Sequence, residues 1–215
     1  MIKLHGFAVS NYYNMVKFAL LEKGLEFAEV QAMPSQEADY KCKSPMGKVP
    51  CMETEQGCLS ETNVMLDYIE SLEPAPALVP ADAFAAAKVR EMAKVIELYI
   101  ELPARRHYAE IFFGEKRNET AVTEAKPVIE NGLKAMQTLG SFKPFICGGF
   151  SLADIVAAHT FIYAAPVCQA VYAWDIVAEV PGLKEALEAT NARPAGAKVM
   201  ADQQAALKAF TEAKS

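Results

Sequence analysis

No run of Lys and Arg occurs anywhere in this chain, and its 21 basic residues are outnumbered by 27 acidic ones, a formal net charge of −6. That balance speaks against nucleic acid as a partner, since phosphate recognition needs clustered positive charge. The five cysteines, Cys42, Cys51, Cys58, Cys147 and Cys168, are odd in number and include no C-x-x-C pair. They form neither a disulfide framework nor a thiolate metal site, and a reducing cytoplasm is the expected location. The three histidines, His5, His107 and His159, show no ligand spacing, so no metal is expected. A long apolar leader is missing from Met1-Ile2-Lys3-Leu4-His5-Gly6.

One stretch is short of charge. Ile155 through Trp174 carries no charged side chain, and about 20 apolar residues span a bilayer. His159, Thr160, Pro166 and Gln169 interrupt it, and its flanks are acidic rather than basic. A helix buried in a water-soluble core is expected, with no membrane as partner. The hydrophobic fraction of 52% and charged fraction of 22% exclude a disordered chain and supply a substantial core.

The first part of the chain mixes two periods. Ile2 and Leu4 alternate with polar neighbours, as in a strand. Ser10 precedes a helical stripe of Tyr13, Val16, Leu20 and Lys23, closed by Gly24; serine and glycine are favoured helix ends. Phe27 to Gln31 reads as a second strand, Val49 to Thr54 as a third and Cys58-Leu59 as a fourth, with a glycine turn at Glu55-Gln56-Gly57. A helix is expected from Ser60 through Val64, Leu66, Ile69 and Leu72. The order is β-α-β, a connection, then β-β-α. After Pro74, Pro76 and Pro80 the pattern is helical throughout, at about 82–114, 120–139, 151–165, 167–178, 182–190 and 197–211. Pro103 and Pro127 are expected to kink or end their helices locally.

Three segments can carry chemistry. Ser10 is a helix cap or, with the same geometry, a hydrogen-bond donor to an anion that the helix dipole also favours. In Gly47-Lys48-Val49-Pro50 the proline suits an edge, a strand start or a cis turn; if cis, the Val49 backbone can pair with an extended peptide ligand. Ser60-Glu61-Thr62 either caps the next helix or holds the two charged ends of an α-amino acid.

Together these segments resemble the glutathione transferase family. The similarity lies in S-N-Y-Y-N-M-V-K-F-A-L-L-E-K-G-L-E-F, S-P-M-G-K-V-P-C-M-E-T and L-S-E-T-N-V-M-L-D-Y-I-E, and in G-G-F-S-L-A-D-I around Ser151 to Ile155. The resemblance implies an α/β plus all-α fold: a thioredoxin-like glutathione-binding domain at 1–75, a linker and first helix start at 76–86, and an all-helical domain at 87–215. It implies glutathione as co-substrate, attacking a small hydrophobic electrophile in a detoxifying reaction, and a homodimer. Ser10 matches the activating serine of serine-type members. Val49 and Pro50 match the element that pairs with the cysteinyl part of glutathione. Glu61 and Thr62 match the pair that holds its γ-glutamyl end, and Lys48 is in reach of the glycyl carboxylate. Acceptor-pocket candidates, expected between the domains, are Phe7, Tyr12, Tyr99, Arg105, Arg106 and Tyr108. Ser151 and Asp154 match the family's capping box, a structural role.

Two departures stand out. Cys51 follows the proline where the family usually has a small or aliphatic residue; it is an apolar filler or a redox-sensitive thiol. No cysteine stands at the start of the first helix, so a mixed disulfide there is disfavoured, while Tyr12 and Tyr13 compete with Ser10 as donors to a thiolate. The alternatives are a non-catalytic binding or regulatory protein, and a glutathione-dependent isomerase or dehalogenase.

Overall fold

The computed structural model describes residues 1–212; the last three residues of the expected helical domain lie outside them. The chain divides into two compact units, one of Met1–Leu78 with the segment from Asn191 onward, the other of Val79–Thr190.

The first unit is built on a four-stranded sheet in the order β2-β1-β3-β4, from β1 (Ile2–Gly6), β2 (Phe27–Gln31), β3 (Cys51–Thr54) and β4 (Gly57–Leu59). β1 runs parallel to β2 and antiparallel to β3, which pairs antiparallel with β4. The parallel pair requires a crossover, supplied by α1 (Asn11–Glu22), while α2 (Ala38–Lys41) is a single turn. α3 (Thr62–Leu72) packs on α1, as does α10 (Pro194–Glu212). Leu4 and Met52 are fully buried, together with Met15, Phe18, Leu20, Met65 and Ile69 of these helices. That burial is the main stabilising term of the unit.

A buried charge ties α10 into it. Lys17 of α1 is 3% exposed; its Nζ donates to both Glu29 carboxylate oxygens at 2.8 and 2.7 Å and to Asp202 at 2.8 Å. Two carboxylates around one desolvated ammonium give the compensation that burying a charge demands.

The second unit contains α4 (Ala83–Ile96), a π-helical turn at Glu97–Glu101, α5 (Leu102–Arg105), α6 (Tyr108–Phe113), α7 (Glu119–Leu139), α8 (Leu152–Tyr172) and all but the last residue of α9 (Leu183–Asn191). In the π turn the Leu102 N–H bonds the Glu97 carbonyl, five residues back. Pro103 has no N–H to offer Tyr99, and the widened turn absorbs this mismatch. Gly132 of α7 lies against the same turn: a Cβ there would stand 2.9 Å from the Tyr99 carbonyl oxygen.

The structure corrects several expectations about the elements. α8 runs straight through Pro166 to Tyr172, so 173–178 is turn rather than helix. α7 likewise continues through Pro127. The third strand begins at Cys51, not Val49. α8 is long and apolar enough to cross a membrane, yet 56% of its most apolar window is buried within the protein.

Candidate active site

Sheet topology gathers the three candidate segments of the first unit. β1 ends at Gly6 and leads into Ser10; β3 runs the opposite way and begins, after Pro50, with Cys51 opposite His5; β4 turns back and ends at Leu59, before Glu61 and Thr62. All three therefore emerge at the same end of the strands, the one where β1 finishes.

Ser10 is the N-cap of α1: its backbone is extended and its Oγ accepts from the Tyr13 N–H at 3.3 Å. The bond is long, and the hydroxyl proton remains available for donation to a ligand. The Ser10 N–H donates to the Phe7 carbonyl at 3.0 Å, folding the Phe7–Ser10 loop back over the end of β1.

Tyr13 is settled differently. It is 2% exposed, and its hydroxyl donates to Glu29 at 2.6 Å. Burial, followed by the neighbouring Glu29 carboxylate, pushes its phenol well above the usual range. Glycine at position 6 is required here, since a Cβ would collide with the Tyr13 ring. Tyr12 is half-buried.

The Val49–Pro50 bond is cis. Among the described residues the Val49 backbone N–H and carbonyl take no hydrogen bond. The preceding loop is fixed from several sides. The Lys48 carbonyl accepts from the hydroxyls of Ser44 at 2.8 Å and Tyr40 at 3.0 Å, and the Gly47 carbonyl accepts from the Ser35 N–H at 3.0 Å. Gly47 has φ +65°, and a Cβ there would strike the Ser35 carbonyl oxygen. Lys48 itself is exposed.

At α3 the expected cap is corrected. Glu61, not Ser60, holds the N-cap position, and its side chain makes no capping bond. Glu61 is exposed with φ 68° and ψ 116°, a left-handed conformation unusual for any residue but glycine. Such backbone strain clusters at ligand clamps. Thr62 beside it is 8% exposed.

The remaining candidates are described unit by unit. Phe7 and Tyr12 belong to the first. In the second, Tyr99 is 45% exposed on the π turn. Arg105 pairs with the fully buried Glu101, donating from Nε at 2.8 Å, and its guanidinium lies 4.8 Å from the centre of the Tyr108 ring. Among the described residues the buried Tyr108 hydroxyl has no hydrogen-bond partner, and burial raises its pKa beyond the usual phenol range. Arg106 makes an ion pair with Glu124 across two largely exposed side chains. Such surface pairs contribute little to stability.

Ser151 and Asp154 form the expected box. Asp154 accepts from the Ser151 N–H at 2.9 Å, the Ser151 hydroxyl at 2.9 Å and the Ile146 N–H at 2.8 Å. It is fully buried, and desolvation raises its carboxyl pKa against these bonds.

One cluster had no sequence reading. On the sheet face away from Leu4 and Met52, Glu53 accepts from Lys3 at 2.8 Å and Lys43 at 2.7 Å and lies 3.0 Å from His5. The Lys3 and Lys43 bonds hold its carboxyl down at about 2. The alternation of Lys3, His5, Cys51 and Glu53 along their strands was the available signal.

The family model described as "Glutathione S-transferase, N-terminal domain" matches residues 4–77. A glutathione S-transferase of Pseudomonas putida strain F1 is 47% identical over 213 residues, covering 99% of this chain and 97% of the relative. The apo structure of glutathione S-transferase III superposes with a TM-score of 0.77 at 25% identity, covering 93% of this chain and 95% of that one. A glutathione S-transferase from Methylobacillus flagellatus KT, solved with glutathione bound, shares the fold at a TM-score of 0.74 and 21% identity, covering 93% and 98%.

Proposed function

This chain belongs to the glutathione S-transferase family, and on that premise we propose that it is a glutathione transferase joining the thiolate of glutathione to a small hydrophobic electrophile. The observation that carries the reading is the emergence of Ser10, Val49–Pro50 and Glu61–Thr62 at one end of the strands.

In this reading Ser10 donates its hydroxyl hydrogen bond to the glutathione sulfur, and the positive end of α1 adds to the field. Both favour the charged form and lower the thiol pKa. Each pKa unit corresponds to about 1.36 kcal/mol. A shift of about two units from a free thiol near 8.5 makes the thiolate the majority species at neutral pH. Val49 pairs through its backbone with the cysteinyl residue, as an added strand would. Glu61 holds the ammonium of the γ-glutamyl end, while Thr62 and the first amides of α3 hold its carboxylate. Lys48 meets the glycyl carboxylate.

The electrophile is positioned by residues among Phe7, Tyr12, Tyr99, Arg105, Arg106 and Tyr108, so proximity adds to thiolate activation. The bond forms between sulfur and carbon as the leaving group departs with the electron pair; no metal is required. Residues 1–75 serve as the glutathione-binding domain and the helical part follows from residue 87, its segment from Asn191 onward belonging to the first compact unit. The protein works as a two-fold homodimer, the commonest oligomeric form, in the cytoplasm, where five free cysteines are at home. Its role there is detoxification.

Incubation with glutathione and an aryl halide, followed by mass spectrometry, tests the activity. A stable thioether with one halide released per conjugate is expected. Regenerated glutathione would replace the reading with isomerisation or dehalogenation, and a rate no higher than without protein would leave only a binding protein.

A further inference from the structure

Cys51 and Cys58 lie on the same face of the sheet. The register sets His5 opposite Cys51, Lys3 opposite Glu53, and Glu53 opposite Cys58, and directly opposed residues of an antiparallel pair share a face. The two cysteines are therefore diagonal neighbours across β3 and β4. Burial, followed by the neighbouring Cys58 sulfur, pushes the Cys51 thiol up to about 12, and the Lys43 ammonium is within charge range of both sulfurs. Cys51 is fully buried, its thiol donating to the Lys43 carbonyl at 3.3 Å; Cys58 is partly exposed. Among the described residues no group of three or more His, Cys, Asp or Glu side chains is arranged to hold a metal ion.

We propose that Cys51 and Cys58 are a reversible dithiol–disulfide pair, oxidised by low-molecular-weight disulfides such as glutathione disulfide. The accessible Cys58, as thiolate, attacks one sulfur of the small disulfide, and one thiolate leaves. The resulting mixed disulfide is then attacked by Cys51, which gives up its proton, and the second small thiol leaves. Two protein thiols are oxidised to one disulfide while one small disulfide is reduced to two thiols. The Lys43 ammonium opposes the rise that burial imposes on the Cys51 thiol.

The spacing makes the bond reversible. Diagonal neighbours stand about 7–8 Å apart at Cα, beyond the usual disulfide range of about 4.4–6.8 Å, so the backbone must move for the bond to close. Closing it draws in β4, which is three residues long, lies at the sheet edge and begins at Gly57. A bond closed under strain is reduced readily. This inference is independent of transferase activity: a chain without turnover would still form the bond.

Full-length protein is incubated with excess glutathione disulfide, alkylated under denaturing conditions, digested and mapped by mass spectrometry. The expected product is a Cys51–Cys58 linked peptide that disappears on adding excess reduced glutathione. Cys51→Ala should stop at a stable glutathione adduct on Cys58, and Cys58→Ser should leave Cys51 a free thiol. Wild-type protein that accumulates the Cys58 adduct without the linked peptide, keeps both thiols, or joins Cys58 to Cys42 overturns the proposal. The wild-type map decides the matter even if the Cys51 variant fails to fold.

Discussion

The Tyr13 hydroxyl lies 2.6 Å from the Glu29 carboxylate, so the aromatic ring three residues after the Ser10 cap is anchored to β2. Tyr13 is thereby a scaffold residue whose backbone N–H meets Ser10 and whose side chain is already committed. Tyr13→Phe should lower stability by about 1–3 kcal/mol, as expected for a hydrogen bond to a charged group. It should leave the pH dependence of bound glutathione ionisation unchanged. Urea unfolding and a thiolate titration check the two parts separately.

Gly47 controls the loop that presents Lys48 and Val49. Its φ of +65° and the Ser35 carbonyl beside it leave no place for a methyl group. Gly47→Ala should cost about 1–3 kcal/mol from the unfavourable backbone alone and weaken glutathione binding by displacing the loop. Calorimetric titration of wild type and variant measures the second effect.

Asp154 should behave as a purely structural residue. Asp154→Ala strands the Ile146 and Ser151 amides it now satisfies, a loss of about 2–6 kcal/mol at about 1–3 kcal/mol per unsatisfied buried group. Glutathione affinity of the folded fraction should not change. Denaturant midpoints compared with calorimetric affinities test this.

His159 gives the stability a pH dependence. It is fully buried in α8, and desolvation lowers its pKa to about 3. The unfolded chain takes up this proton near pH 6.5, whereas the folded protein takes it up only near 3. Stability is therefore present above 6.5 and lost as pH falls across that window. From this residue the protein should be about 2 kcal/mol less stable at pH 5 than at pH 7, at about 1.36 kcal/mol per unit. His159→Gln should flatten that slope in denaturant titrations.

Much of this was legible in the sequence because local chemistry and fold agree. The strand Phe27–Gln31, the Ser10 cap and the Ser151–Asp154 box each follow from a few adjacent residues. Pro166 misled because the rule it obeys is local, costing about 3 kcal/mol in a helix interior, while α8 is held by burial of residues on both sides, including Phe161, Val167 and Cys168. Ser60 has the chemistry of a cap, yet the chain turns one residue later, through a left-handed Glu61 that no propensity favours. The π turn before Pro103 and the pairing of Cys51 with Cys58 depend on contacts between elements. The second could have been found by laying the β3–β4 hairpin in register about its Gly57 turn.

The central claim is that Ser10 holds glutathione as a thiolate. The ultraviolet difference spectrum of bound glutathione, followed against pH for wild type and Ser10→Ala, tests it most directly. The account predicts a thiolate band in wild type well below the pKa of free glutathione, absent in the variant although glutathione still binds. A band that survives the substitution, or none in wild type with glutathione bound, would contradict it.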